Sequence, residues 1–402
     1  MLSLRSSASY VSELARLDLP LGPGSAAGIE FGSRDQYDLS LELSMPIFTG
    51  MRTKYIVRSA EEYRLQAIYR RERSRNTILL QVHRLYYGLQ ANLLGQEVLR
   101  ASTRRLENHL NQTRNLLEHA QATAFDTLEV ANRLLETETA LAALRHQYRV
   151  NAGNLAHILD IPAVDSIDSL PAEDAPPGIA SLEEYERAAL AHRPEIAVED
   201  HALLELDYKR KAARAAYFPQ VYASARYHYA RPGVNFFENE WMDYYSAAVQ
   251  FQWELWNMGR RGNELKQADR ARDVSRLERE RVRKEILREV AAAYEDITSA
   301  TDQILLQGRL VGQERERYRI VLERYREGLA TSFDLRDAEE SLTSAELRLA
   351  GSRVDFEIGR AALNYSAGLI GLKRQPAGEA PDLPAAAPGN RIERIDRDGG
   401  SK

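Results

Sequence analysis

Two hydrophobic periods divide this chain. In the first, Tyr37, Leu39, Leu41, Leu43 and Met45 alternate with Asp38, Ser40, Glu42 and Ser44. Further on, Tyr245, Ala247, Val249, Phe251, Trp253 and Leu255 alternate with Tyr244, Ser246, Ala248, Gln250, Gln252 and Glu254, and Val221, Ala223, Ala225, Tyr227 and Tyr229 with Tyr222, Ser224, Arg226 and His228. A period of two predicts strands with one apolar and one polar face. They are placed at about 36–48, 220–230 and 243–256, and a more ragged stretch places a fourth at about 8–17.

The second period is a 4-3 ladder. Ile286, Val290, Ala293, Ile297, Ala300, Ile304, Val311, Tyr318, Val321 and Tyr325 follow it, interrupted at Gln307 and Glu314, and no proline occurs from Arg260 to Glu327. Ile78, Val82, Leu85, Leu89, Leu99, Leu106, Leu110 and Leu117 form the same seam earlier in the chain. A sustained heptad predicts coiled-coil packing, here along helices of about 65 residues, which would run roughly 100 Å. Each ladder ends in small residues, Ala120-Gln121-Ala122-Thr123-Ala124 and Gly328-Leu329-Ala330-Thr331-Ser332, with an aspartate shortly after. Thr or Ser just before Asp is helix-start chemistry, so 126–160 and 334–372 are predicted to return as the second arms of two helical hairpins.

The two hairpins are copies. A constant offset of 208 residues lays Ile47-Phe48-Thr49-Gly50-Met51-Arg52 over Leu255-Trp256-Asn257-Met258-Gly259-Arg260, Val82 and Tyr86 over Val290 and Tyr294, Phe125-Asp126 over Phe333-Asp334, and Leu155 over Leu363. The layout that follows is a first repeat over 1–160 with its hairpin at about 52–160, and a Pro-rich linker over 161–180. A second repeat covers 181–372, with a helix at about 181–216 and a hairpin at about 259–372; a disordered tail is expected over 373–402.

Composition narrows the function. The formal charge of −5 leaves no basic footprint for nucleic acid, and the absence of cysteine removes disulfides, thiol nucleophiles and cysteine–zinc sites. No apolar run reaches the 18 residues of a membrane helix. His83, His109, His119, His146 and His157 are scattered over helices with no metal spacing, so neither an enzyme nor a metal or cofactor site is expected. On these grounds alone the chain reads as soluble. The strands argue otherwise, because narrow helical seams offer no broad surface to cover a one-sided sheet. Strands of about ten residues with an apolar outer face and Tyr or Trp near their ends suit a membrane barrel wall. Four of them cannot close, so several protomers would have to complete the wall.

The doubled order of strand pair, aromatic-Gly-Arg junction and long hairpin resembles the TolC family of outer-membrane efflux and secretion channels over about residues 8–372. Local matches are Arg193-Pro194-Glu195, Phe218-Pro219, and Tyr325-Arg326-Glu327-Gly328-Leu329 followed by Phe333-Asp334-Leu335-Arg336-Asp337-Ala338. The fold this implies is mainly α, with duplicated helical hairpins forming a coiled-coil tunnel. Each protomer would give four strands to a trimeric twelve-stranded barrel in the outer membrane, with a periplasmic extension. The resemblance further implies a homotrimer, a periplasmic adaptor protein and an inner-membrane pump as partners, and outer-membrane lipid against Leu39, Leu41, Leu43, Val249, Phe251 and Trp253. Gly328 and Leu329 match the adaptor-contact tip, with Ala120 and Gln121 as the weaker copy. Asp334 and Asp337 match carboxylates ringing the periplasmic aperture, and Tyr325 with Asp126 matches a closed-state latch. The family's latch arginine is here Ala330, which leaves Arg326 or Arg336 as substitutes.

One departure concerns the start. Position 219 less 208 is 11, so the first repeat's counterpart of the 181–216 helix would precede Met1. An upstream start supplying that helix and a signal peptide is therefore expected. The alternative to a passive export duct is a soluble coiled-coil scaffold with a small interaction sheet.

Overall fold

The computed structural model describes residues 2–20, 26–164, 166–168, 178–235 and 237–371. The expected tail and half of the Pro-rich linker lie outside the described residues. Two units emerge, one built from Met1–Gln66 and Asp200–Leu277, the other from Ala67–Glu199 and Glu278–Lys402.

The first unit holds the sheet. Its strands are β1 (Leu2–Tyr10), β2 (Ala15–Pro20), β3 (Ala26–Phe31), β4 (Asp35–Phe48), β5 (Gln220–Arg231) and β6 (Met242–Gln252). All pairing is antiparallel, in the order β1-β4-β5-β6, while β2 and β3 form a separate hairpin. The central pair, β4 with β5, joins the two sequence repeats.

The strand expected at about 8–17 is corrected. β1 occupies Leu2–Tyr10 and stops where Ser12-Glu13 interrupts the alternation. Its register is set by β4, since Leu2 faces Leu43, Leu4 faces Leu41 and Ala8 faces Tyr37. A slip of one residue would turn every apolar side chain to the polar face. The last strand also ends earlier than expected, at Gln252. Trp253 lies just beyond it, with its indole N–H donating to the Tyr217 carbonyl at 3.2 Å.

Two long hairpins follow, α1 (Arg52–Glu118) with α2 (Ala124–Leu159) and α5 (Arg260–Arg326) with α6 (Ser332–Ser366). Between them the single helix expected at 181–216 is two, α3 (Leu182–His192) and α4 (Pro194–Arg214), followed by a 3-10 turn at Ala215–Tyr217. The break has a local cause. Arg193 is extended, with ψ 120°, as a residue before proline prefers, and Pro194 opens α4 where a missing N–H does no harm.

In the second unit the core joins α3, α5 and α6: Tyr185, Ala189, Ile286, Val290, Ile297, Ile304, Phe356 and Leu363 are buried together. Full burial of each large apolar side chain contributes about 1.5–3 kcal/mol. The ladder in α1 is less complete than expected. Leu89, Leu99, Leu106 and Leu110 are buried, but Ile78 and Leu117 at its ends are exposed, and Leu80 and Tyr87 fill the core instead. Arg193 ties the helix ends together. Its buried guanidinium holds Glu195 at 2.9 and 3.2 Å and Glu289 at 2.8 Å, reaches the carbonyls of Tyr365 and Ser366 at the end of α6, and lies 5.1 Å over the Tyr365 ring. Charge-assisted, bidentate bonds of this kind are the strong ones.

The duplication is visible in the backbone. Left-handed conformations recur at the offset found in the sequence: Gly50 (φ 61°) with Met258 (52°), Met51 (68°) with Gly259 (83°), Ala120 (58°) with Gly328 (73°), and Asp160 (53°) with Gly368 (71°). At Gly50 the small residue is also a spatial need. A Cβ there would come within 2.7 Å of the Ala215 carbonyl oxygen and 2.8 Å of Phe218 Cβ.

Candidate functional site

In register, the odd-numbered positions of β4, β5 and β6 and the even-numbered positions of β1 share one face of the sheet. Leu4, Leu41, Tyr227 and Tyr245 form one row across all four strands, and Leu2, Leu43, Ala225 and Ala247 the next. Met45, Ala223 and Val249 make a third. This face is uncovered: Leu39 and Leu41 are each 44% exposed, Val249 72% and Phe251 64%. Aromatic residues collect at both ends of the band. Trp241 stacks on Tyr229 at 4.8 Å and approaches Tyr37 at 6.0 Å at one end, while Phe251 and the exposed Trp253 stand at the other. An apolar band flanked by aromatic girdles is the outer surface of a membrane barrel. The predicted lipid-facing residues are therefore together on one surface, except that Trp253 follows the strand end.

The opposite face is polar. Ser3, Glu42, Arg226 and Ser246 lie in one row, and Arg5, Ser40, His228 and Tyr244 in another. Glu42 pairs with Arg5 and Arg226, and His228 Nδ1 lies 2.8 Å from an Asp38 oxygen while its ring stacks on Tyr244. The outer edges of β1 and β6 have no strand partner among the described residues.

Both hairpin tips are built alike. The N–H groups of Ala120 and Gln121 donate to the carbonyls of Leu117 and Leu116, and those of Gly328 and Leu329 to the carbonyls of Tyr325 and Arg324, so each outgoing helix ends in a Schellman turn. Each returning helix starts with a capping box. The Thr123 backbone N–H and hydroxyl donate to Asp126 Oδ2 at 2.8 and 2.7 Å, and the Asp126 N–H donates back at 3.2 Å. Thr331 and Asp334 repeat this at 2.8, 2.7 and 3.1 Å. The threonine hydroxyls hold both aspartates below the usual carboxylate range. Phe125, Leu128, Leu329 and Phe333 are exposed around the tips.

The other predicted tip residues have in-chain partners. Asp337 pairs with Arg317, which also reaches Glu314 and Ser341. Arg336 pairs with Glu129 of α2 and lies 4.7 Å over the Phe333 ring. Tyr325 and Asp126 are not brought together within the chain: Tyr325 is buried, with its hydroxyl 2.9 Å from that of Thr113. Beside it is His109, which the sequence offered only as one of several scattered histidines. It is buried on α1, edge-on to the Tyr325 ring at 5.2 Å, with Nε2 3.3 Å from the Ser332 hydroxyl and Nδ1 without a hydrogen-bond partner among the described residues. Burial alone pushes its pKa down to about 4.

A one-sided apolar sheet in one chain with two long helical hairpins is the build of outer-membrane channels that extend into the periplasm. Residues 1–159 and 187–369 match the outer membrane efflux protein family, and the chain belongs to it. The chain is similar to the toluene efflux pump outer membrane protein TtgF of Pseudomonas putida, with 24% identity over 85% of this chain and 70% of that one. It is likewise similar to the alkaline protease secretion protein AprF of Pseudomonas aeruginosa, with 24% identity over 84% and 70%. Among solved structures, the outer membrane protein VceC of Vibrio cholerae aligns with a TM-score of 0.74 at 18% identity, covering 92% of this chain and 86% of that one. The TolC-like resemblance and the outer-membrane location are thereby borne out, and the chain functions as the outer-membrane component of efflux or secretion. The soluble-scaffold alternative is set aside.

His109 gives the tips a pH dependence. Its folded pKa lies below the unfolded value of about 6.5, so the unfolded chain binds the proton first. The stability it withholds from acid unfolding is fully present above about pH 6.5 and is lost as pH falls toward about 4. The expected loss is a few kcal/mol, since each tenfold difference in proton affinity between the two states is worth roughly 1.4 kcal/mol. Thermal melting of detergent-solubilised protein should show this slope, and His109→Gln should flatten it; parallel slopes in the two proteins would contradict it.

Proposed function

We propose that three copies of this chain form a passive duct, with four strands from each closing a twelve-stranded barrel and the hairpins continuing the passage through the periplasm. The observation that carries this reading is the pair of unpartnered sheet edges beside an exposed apolar face. In lipid an open edge leaves backbone groups without hydrogen bonds, so β1 of one copy must meet β6 of the next. The duct performs no chemistry and uses no cofactor. Relatives are named for cargoes as unlike as toluene and a protease, and we assign the choice of cargo to an inner-membrane pump reached through a periplasmic adaptor. The absence of native cysteine gives a clean test. Cysteine pairs placed one on β1 (Ser3 or Ser7) and one on β6 (Ser246 or Ala248) should give an oxidised ladder that ends at three chains. A ladder ending at two, or no crosslink at any pair, would refute the closure.

Gly328 and Leu329, with Ala120 and Gln121 as the second copy, form the adaptor contact. Leu329 is 65% exposed, stabilises little in the free chain, and is available for burial by a partner. Leu329→Asp should lower adaptor crosslinking and efflux about tenfold or more, the effect of desolvating a charge, with the trimer intact. Unchanged crosslinking would remove Leu329 from the contact.

Asp334 and Asp337 line the periplasmic aperture, and Tyr325 and Asp126 belong to the latch that holds it closed. The capping box engages Oδ2 of Asp334, and Asp337 keeps its exposure beside Arg317. Converging carboxylates favour cations and divalent block. The double variant Asp334→Ala/Asp337→Ala should weaken both in planar bilayers. Unaltered block would leave the two aspartates as helix-start residues alone.

A further inference from the structure

The polar face of the sheet carries a charge pattern that neither the alternation nor the family assigns a role. Its charged or imidazole side chains are Arg5, Asp38, Glu42, Arg226 and His228. Arg5 Nη2 and Arg226 Nη2 lie 3.2 and 2.9 Å from the same Oε2 of Glu42. Two guanidinium groups thus share one carboxylate, a layer with a surplus positive charge in each chain. The carboxylate is the enclosed member, with its side chain 12% exposed, whereas Arg5 is 65% and Arg226 36% exposed. What the layer presents to the solvent on this face is therefore guanidinium. The Asp38–His228 pair adjoins it, with Asp38 four residues from Glu42 along β4 and His228 in the row of Arg5, two residues from Arg226 along β5.

We infer that Arg5 and Arg226, held apart and oriented by Glu42, form an anion-favouring layer in the barrel lumen, selective for small anions and for solutes bearing carboxylate or phosphate groups. This rests on the duct reading, which puts the polar face on the lumen side. Guanidinium suits the task because its planar fork offers several donors and stays charged at any physiological pH. Each arginine meets Glu42 through one Nη2 in an ion pair, and Glu42 limits the mutual repulsion of the two.

The test is the reversal potential of the full chain in planar bilayers under a KCl gradient at low salt, with chloride as the probe anion. It is run in the Asp334→Ala/Asp337→Ala background so that the tips do not mask the barrel. Glu42→Gln should raise the chloride-to-potassium permeability ratio about twofold, the effect of one unit charge roughly 8 Å away through water, and Arg5→Gln should lower it by a similar factor. The two variants act in opposite directions, which a general loosening of the barrel would not produce. Arg5 is exposed, so its variant serves even where Glu42→Gln assembles poorly. Conductance with a ratio that moves in neither variant overturns the layer alone. No conductance from the native protein overturns the duct reading, and the layer with it.

Discussion

The rest of the structure depends on one requirement unmet among the described residues, the hydrogen bonds along two sheet edges next to an apolar face. Water would satisfy the edges but not the face, and lipid the face but not the edges. Closure within a membrane, as proposed for this chain, would satisfy both. The buried side chains of α3, α5 and α6 face one another in their own unit, and the sheet's apolar rows stay uncovered. Membership of the outer membrane efflux protein family agrees with what this constraint demands.

The duplication shows which local features such a design holds to. Helix ends, strand-to-helix junctions and tips repeat their left-handed residues at constant spacing, yet the residue types differ. Glycine takes the first place of the junction in one repeat and the second in the other, with methionine beside it each time. At the tips alanine in one copy stands where glycine stands in the other. A left-handed non-glycine residue costs about 1–2 kcal/mol, a strain these turns bear because the Schellman bonds and the capping box determine the backbone from both sides. The conformation is the repeated quantity, and the glycine is one means to it.

Much of this was legible in the sequence because it is periodic. Alternation located β4, β5 and β6 within a few residues, and the heptad located α1 and α5. Where a non-periodic force decided the outcome, legibility fell. β1 carries serines at 3, 6, 7 and 9, so its own alternation is weak, and its register comes from pairing with β4. The break at Arg193 follows from the following proline, a signal that was present but outweighed by the apolar pattern on either side. The exposure of Ile78 and Leu117 could not be read from α1 alone, since the seam ends where its partners do. At the tips, Asp126 and Asp334 fit both a role toward a neighbouring chain and a capping box, and the spacing Thr-x-x-Asp is the signal that identified the latter.

The helical seams near the tips raise a question of register that the apolar ladder cannot answer by itself. Leu106 and Leu110 of α1 and Leu335 and Leu342 of α6 are all buried. A shift of α6 by one turn would exchange one leucine contact for another at small cost, as volume-conserving swaps do. Polar contacts between these layers are less forgiving. Glu339, 2% exposed, accepts from the Ser102 hydroxyl at 2.6 Å and the Thr343 hydroxyl at 2.7 Å, and Arg105 bridges Glu339, Thr343 and Glu346. One turn of slip would take this carboxylate away from the Ser102 hydroxyl of α1. A buried charge that loses its partner costs about 3–5 kcal/mol, more than any single leucine exchange in the layer. The net stability of the Glu339 cluster is small by the same reasoning, because desolvation offsets most of its attraction. Its effect is to select one register of α6 against α1 from among several that hydrophobic packing would accept, and so to fix the height at which the two tips end.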